Sequence, residues 1–164
     1  CLTMYFPRYM EKKNIIQHKT NTTVNGQLKK KYFKDELSGH GEMILLVDDE
    51  ASLLHLSEQV LLQNNYNVIT AENADIALKK IEDNQKSDKK IQVMISDVVM
   101  PGTDGYQLSD VVSERFPDIK IQLSSGFNDD RHLNFKNQSL HEMLLTKPFS
   151  SDELLARVKE LLSE

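Results

Sequence analysis

Five side chains have the types and the placement to do chemistry together. Asp48 and Asp49 follow the apolar run Met43–Val47, and Asp97 follows the run that starts at Ile91. Ser124 follows Ile119–Leu123, and Lys147 follows Met143-Leu144-Leu145-Thr146. Three carboxylates in close quarters cannot all stay ionised without a cation. Hard oxygen ligands with open positions suit Mg²⁺, which keeps several waters and takes one or two protein carboxylates. A bare metal site has no use for a lysine. A phosphoryl group does, because it needs a point positive charge, a hydrogen-bond donor and a metal. Asp97 is then placed to be a nucleophile that accepts phosphate as an acyl phosphate. Neither GxxxxGKS/T nor GxGxxG occurs, which counts against a nucleotide-binding loop.

The elements that must position these groups follow from hydrophobic pattern. Residues 43–47 form a continuous apolar run, as expected of a strand buried on both faces. A helix is predicted to about Asn64, with Leu53, Leu56 and Val60 on one stripe. Residues 67–71 read as a second strand, and Asn73 as the cap of a helix carrying Ala77, Leu78 and Ile81. A third strand runs from Ile91 to Asp97. After it, Val98-Val99-Met100-Pro101-Gly102-Thr103-Asp104-Gly105 is a preset loop. Pro101 cannot continue a ladder, and the glycines reach backbone angles that other residues resist. A helix is predicted over 105–116, a fourth strand over 119–123 with a turn at Ser124-Ser125-Gly126, and a weakly patterned helix over 128–139. A fifth strand is predicted over 142–146. Ser150 with Glu153 reads as a capping box for a last helix. Five strands alternate with five helical segments, and the strands are apolar rather than alternating. The fold class is therefore α/β, with a doubly wound parallel sheet. Ligands in such folds bind beyond the carboxyl ends of the strands, where all five side chains fall.

Composition narrows the partners. Residues 8–40 carry eight basic side chains against three acidic ones, a charge of +5. Residues 41–164 carry 12 against 22, a charge of −10. An acidic domain is a poor nucleic-acid binder, and the basic segment, Lys30-Lys31-Tyr32-Phe33-Lys34 included, has the composition of a solvated linker. No apolar stretch is long enough to cross a membrane, so no membrane contact is expected of this stretch. One cysteine, Cys1, cannot form an internal disulfide and fits a reducing, cytoplasmic compartment. The chain begins at Cys1 and is read as a fragment of a longer protein. None of the five histidines sits at a strand end, so surface or packing roles are expected of them.

Residues 42–163 resemble the receiver domain of two-component response regulators. The resemblance is carried by Leu46-Val47-Asp48-Asp49-Glu50, by Asp97 with Met100-Pro101-Gly102-Thr103-Asp104-Gly105, by Ser124-Ser125-Gly126-Phe127 and by Lys147-Pro148-Phe149. It implies a flavodoxin-like sheet of order 2-1-3-4-5. It implies Asp97 as phosphoacceptor, and Mg²⁺ held by Asp49, Asp97 and the Val99 backbone carbonyl, with Asp48 assisting through water. It implies Lys147 on the phosphoryl oxygens and Ser124 as the switch. The phosphodonor would be a histidine kinase or a histidine phosphotransfer domain. The partner-reading face would comprise the segment 128–139, the fifth strand and the last helix. Two departures stand out. Leu144 occupies a position that is often aromatic in this family, and the loop 84–90 looks long.

Residues 2–8, Leu2-Thr3-Met4-Tyr5-Phe6-Pro7-Arg8, resemble the last strand of a sensor histidine kinase ATP-binding domain. The expected layout is a kinase remnant over 1–8, an extended linker over 9–40 and a receiver over 41–164. Such a layout belongs to a hybrid histidine kinase, whose membrane-anchored or soluble nature this stretch leaves open. The fragment lacks the kinase's phosphorylatable histidine region and ATP-binding boxes and is expected to have no kinase activity alone. The orphan strand 1–7 leaves pairing with a second copy, a homodimer, as an alternative. Two rival functions are a phosphorylation-independent interaction module and an Mg²⁺-dependent phosphatase. The first predicts a missing acid or lysine, and none is missing. The second wants an acid two residues after the nucleophile, where Val99 stands.

Overall fold

The structure is a computed structural model that describes residues 36–126 and 144–163. The expected strand 1–7, most of the linker, the helix 128–139 and residues His18, His132 and His141 lie outside the described residues. Among the described residues nine elements follow one another in order. They are β1 (Met43–Val47), α1 (Ala51–Leu62), β2 (Asn67–Ala71), α2 (Ala74–Asn84), β3 (Ile91–Asp97), α3 (Gly105–Arg115), β4 (Lys120–Gly126), β5 (Leu145–Lys147) and α4 (Ser151–Ser163). The strands form one parallel sheet of order β2-β1-β3-β4-β5, as expected.

Both faces of the sheet are covered, which is why the strands are apolar throughout. Successive side chains of a strand point to opposite faces. Leu45 and Val47 accordingly join Ala77 and Ile81 of α2 and Leu108 and Val112 of α3. Ile44 and Leu46 turn the other way, to Leu54 and Leu61 of α1 and Leu154 and Val158 of α4. Each helix therefore has one buried stripe, and the sheet is the shared wall between two cores.

Local chemistry sets the element ends. Asn73 caps α2 by accepting from the Ile76 amide at 2.9 Å. Asp104 and Gln107 form a capping box on α3. An Asp with Gln three residues on is a local signal of a helix start, although it was not among the caps expected from sequence. The expected Ser150–Glu153 box is present, with the Ser150 amide donating to the Glu153 carboxylate at 2.7 Å. The loop 84–90 is pinned at both ends by one side chain. Asn84 donates to the Lys89 carbonyl at 3.1 Å and accepts from the Ile91 amide at 2.8 Å.

Three boundaries differ from the sequence expectation. The first helix stops at Leu62 because the Asn64 side chain turns back onto the Val60 carbonyl and Asn65 takes φ 63°. The fourth strand runs on through Ser124, Ser125 and Gly126 instead of turning there. Pairing decides it: Asp97 stands opposite Ser124, and Gly126 opposite Lys147. The fifth strand is Leu145–Lys147, beginning after Leu144 and running one residue past the expected end at 146; residues 142 and 143 of the expected 142–146 lie outside the described residues. Among the described residues there are four helices.

Leu108 has no exposed surface and lies in the core between α3 and the sheet. Leu108→Ala is expected to cost about 2–5 kcal/mol of unfolding free energy through the cavity it leaves. A urea melt with unchanged slope and a lower midpoint would show it.

Candidate functional site

Register brings the expected groups together. β1, β3, β4 and β5 all end on the same edge of the sheet, and the residues at or just beyond those ends line it. Asp48 is the first residue after β1, and its amide donates to the Ala71 carbonyl at 3.1 Å. Asp97 closes β3, Ser124 lies in β4 and Lys147 closes β5. Asp48, Asp97 and Ser124 are buried, while Asp49 is exposed.

The carboxylates of Asp48, Asp49 and Asp97 offer oxygen atoms that all lie within 4.8 Å of one another. The Lys147 ammonium stands against two of them, 2.6 Å from Asp48 Oδ2 and 3.1 Å from Asp97 Oδ1. Burial raises the Asp97 carboxyl above the usual carboxylate range. Lys147 pulls it back, Asp48 adds to the rise, and the net shift is upward. Burial alone would lower Lys147. Its hydrogen bond to Asp48 and the charges of both acids outweigh that, so the ammonium is held above its ordinary value.

Such a donor set fits a hard divalent cation. Three carboxylates from two strand ends converge, one is open to solvent, and a single lysine leaves the cluster with a net negative charge. Six-coordinate ions of this kind keep waters in the remaining positions, and the exposed Asp49 side has room for them.

The backbone around Asp97 is held by several small contacts. The Ser96 hydroxyl donates to the Asp97 carbonyl at 3.0 Å, and the Val98 amide donates to the Ser124 carbonyl at 2.9 Å. The Gly105 amide closes the loop onto the Val98 carbonyl, also at 2.9 Å. Gly105 comes so close that a Cβ there would lie 2.1 Å from the Asp97 carbonyl oxygen. Gly102 takes φ 81°, in the left-handed region. Proline and two glycines thus set a loop that returns on the acid. Val99 lies within it and is 39% exposed. Ser96 was not singled out by sequence. A serine inside an apolar strand, one residue before an acid, is the only signal it leaves.

Ser124 stands beside the acids in the sheet, yet its hydroxyl donates to the Ser96 carbonyl at 3.4 Å. It is therefore adjacent to the cluster without bonding to it. Leu144 packs against a small cluster of Val98, Tyr106 and Leu123. The described histidines meet their expectation. His55 is a surface residue 3.8 Å from Glu58, and His40 is exposed.

The comparisons with known proteins point one way. The chain matches the response regulator receiver domain family over residues 44–159. It belongs to that family. Over 161 residues it is 30% identical to the sensor kinase CckA of Brucella abortus, covering 98% of this chain and 16% of that protein. It is 35% identical to the transcriptional regulatory protein ResD of Bacillus subtilis, over 73% of this chain and 47% of that one. The chain thus spans only a part of each of these relatives. The receiver domain of the hybrid histidine kinase CckA superposes with a TM-score of 0.58 at 27% identity, over 73% of this chain and 98% of that structure. A response regulator receiver domain from Clostridium thermocellum shares the fold, with a TM-score of 0.64 at 22% identity over 74% and 94%. The chain is a receiver domain of phosphorylation-based signal transduction, and its acidic cluster is placed to hold a metal.

Two outcomes are expected for the receiver site. Gly105→Ala is expected to cost about 1–3 kcal/mol, because a backbone oxygen cannot yield as a flexible side chain would. Chemical denaturation reads it, and an unchanged midpoint would refute the close approach. Asp97→Asn is expected to raise the melting temperature at neutral pH without added metal, by a few degrees, the scale of about 1 kcal/mol in a domain of this size. Its sign comes from the raised Asp97. The native state binds that proton more tightly than the unfolded chain, so the wild-type charge costs stability above the folded value. The advantage of Asn should therefore shrink as the pH falls through the carboxylate range. A melting series against pH, for both proteins, measures it.

Proposed function

We propose that Asp97 accepts a phosphoryl group from a phosphohistidine, on a histidine kinase or a histidine phosphotransfer domain, and that the domain switches a protein-binding face in response. The observation that carries this is Lys147 set between Asp48 and Asp97, beside a third carboxylate. In that arrangement Lys147 opposes the rise that burial gives the Asp97 carboxyl, and it holds a positive charge where phosphoryl oxygens would arrive.

In the reaction an Asp97 carboxylate oxygen attacks phosphorus, and the phosphorus–nitrogen bond of the donor breaks. The imidazole leaves with its electron pair and takes up a proton. Lys147 leaves Asp48 for a phosphoryl oxygen, and so stabilises the acyl phosphate against the surrounding acids. Asp49, Asp97 and the Val99 carbonyl would hold Mg²⁺, with Asp48 assisting through water. When bound, the ion neutralises phosphoryl charge and orients its oxygens. Ser124 would give up the Ser96 carbonyl and turn to the phosphoryl group. Its strand neighbours would follow, because Ser124 pairs with both Asp97 and Leu145. A local charge thereby becomes a shift of β5 and α4. Leu144 takes part through packing rather than as an aromatic relay.

The parent of this stretch reads best as a cytoplasmic part of a hybrid histidine kinase, with a kinase remnant over 1–8, a linker over 9–40 and the receiver over 41–164. Support comes from the sensor kinase relative, whose similarity extends over 98% of the chain rather than over the receiver alone.

Acetyl phosphate with Mg²⁺ tests the proposal. One phosphoryl group, labile to hydroxylamine, should appear by intact mass and be lost with EDTA in the reaction. Asp97→Asn should abolish it. A phosphoryl group that persists in that variant, or label on a histidine, would overturn the assignment.

A further inference from the structure

The segment ahead of β1 is fastened to the sheet edge opposite the acids. The Gly39 amide donates to the Asn64 carbonyl at 2.8 Å, and the Gly41 amide to the Asn65 carbonyl at 2.9 Å. The His40 amide donates to the Glu42 carboxylate at 2.5 Å. The Tyr66 hydroxyl donates to the Leu37 carbonyl at 3.0 Å. Leu37 packs against the core that holds Leu61, Tyr66, Val158 and Leu161. From α4, Lys159 reaches across and donates to the Ser38 carbonyl at 3.1 Å.

Gly39 is where the fit is closest. A Cβ there would lie 2.5 Å from the Tyr66 ring and 2.7 Å from a Glu42 carboxylate oxygen. Tyr66 is itself buried, and burial, with the Glu42 charge adding, pushes its hydroxyl up to about 12. A segment that only connects two domains runs solvated and makes no such bonds. Here three successive amides are satisfied and an apolar side chain enters the core.

α4 connects this edge to the other. It begins four residues after Lys147, at the acid edge, and Lys159 lies near its far end. Its 13 residues span about 20 Å as a rigid rod. We infer that residues 36–42 form a strap that couples the preceding chain to α4, so that a displacement of Lys147 and α4 reaches whatever stands N-terminal to the receiver. The strap stands on its contacts. Only the event that drives α4 rests on the reading of Asp97 as phosphoacceptor.

Hydrogen exchange by mass spectrometry on the full chain tests it. Lys159→Met keeps the aliphatic stem and removes the bond to Ser38. It should speed exchange of the 39–41 amides about five-fold, the scale of one hydrogen bond. Coupling is reciprocal. Gly39→Val, which has no room against Tyr66, should therefore speed exchange in the last turns of α4 by a similar factor and leave α2 unchanged. Unaltered 39–41 exchange in Lys159→Met, or unaltered α4 in a Gly39→Val protein whose strap has come free, overturns the strap. A second arm adds acetyl phosphate and Mg²⁺, with intact mass reporting the phosphoryl group. Exchange at 39–41 should then change at least two-fold, and not in Asp97→Asn. A phosphorylated protein with unchanged 39–41 exchange also refutes the coupling. If no phosphoryl group adds, the phosphoacceptor reading falls, and the two substitutions still decide the strap.

Discussion

Everything at the acid edge depends on one ammonium group. Lys147 lies between Asp48 and Asp97, both buried, with Asp49 close by. Two like charges about 4 Å apart repel by roughly 4 kcal/mol at the effective dielectric of a protein surface. A cluster of three such acids is tenable only with a cation inside it. The lysine comes from the last and shortest strand, and the acids come from the first and third. The site therefore exists only when β1, β3, β4 and β5 have assembled in the right order and register.

That dependence explains how the rest of the chain is built. Parallel strands need long crossovers, so each strand end at the site is separated from the next by a helix or a long connection. The two apolar cores either side of the sheet fix β1 and β3 on both faces, which leaves little freedom for Asp48 and Asp97 to drift apart. The loop after Asp97 has a narrower duty. Gly105 closes it onto the backbone of Asp97 and Val98 at a distance no other residue tolerates. Backbone carbonyls are thereby set in place beside a carboxylate, which is what a hard metal ion takes as ligands.

The same geometry makes the site poised rather than locked. Burial holds the Asp97 carboxyl up, and the lysine lowers it again. In the proposed reaction an incoming phosphoryl group would offer Lys147 a stronger anion than Asp48. Ser124 is bonded to a backbone carbonyl by a long contact, 3.4 Å, so little would be lost in the proposed turn toward a phosphoryl group. In the coupling inferred above, α4 would carry the consequence away from the acids, toward the edge where Lys159 and Leu37 meet the segment ahead of β1.

The candidate site residues were legible in sequence because each stands directly after an apolar run or at its end. Apolar strands without alternation imply a sheet covered on both faces, and that alone gathers Asp48, Asp49, Asp97, Ser124 and Lys147 on one edge. Helix caps at Asn73 and Ser150 were equally local, and both appear as read. Pairing partners are not local. Ser124-Ser125-Gly126 has the composition of a turn, but β3 on one side and β5 on the other hold it as strand. Nor could sequence show that Gly39 meets Tyr66, that Lys159 reaches Ser38, or that the Ser124 hydroxyl faces Ser96. Sequence by itself determined which groups reach the acid edge, Asp97 and its loop foremost, because chain order and strand period dictate it. Tertiary structure decided which of them touch, which amides the 36–42 segment satisfies and where Lys147 spends its charge, because those are contacts between residues far apart in the chain.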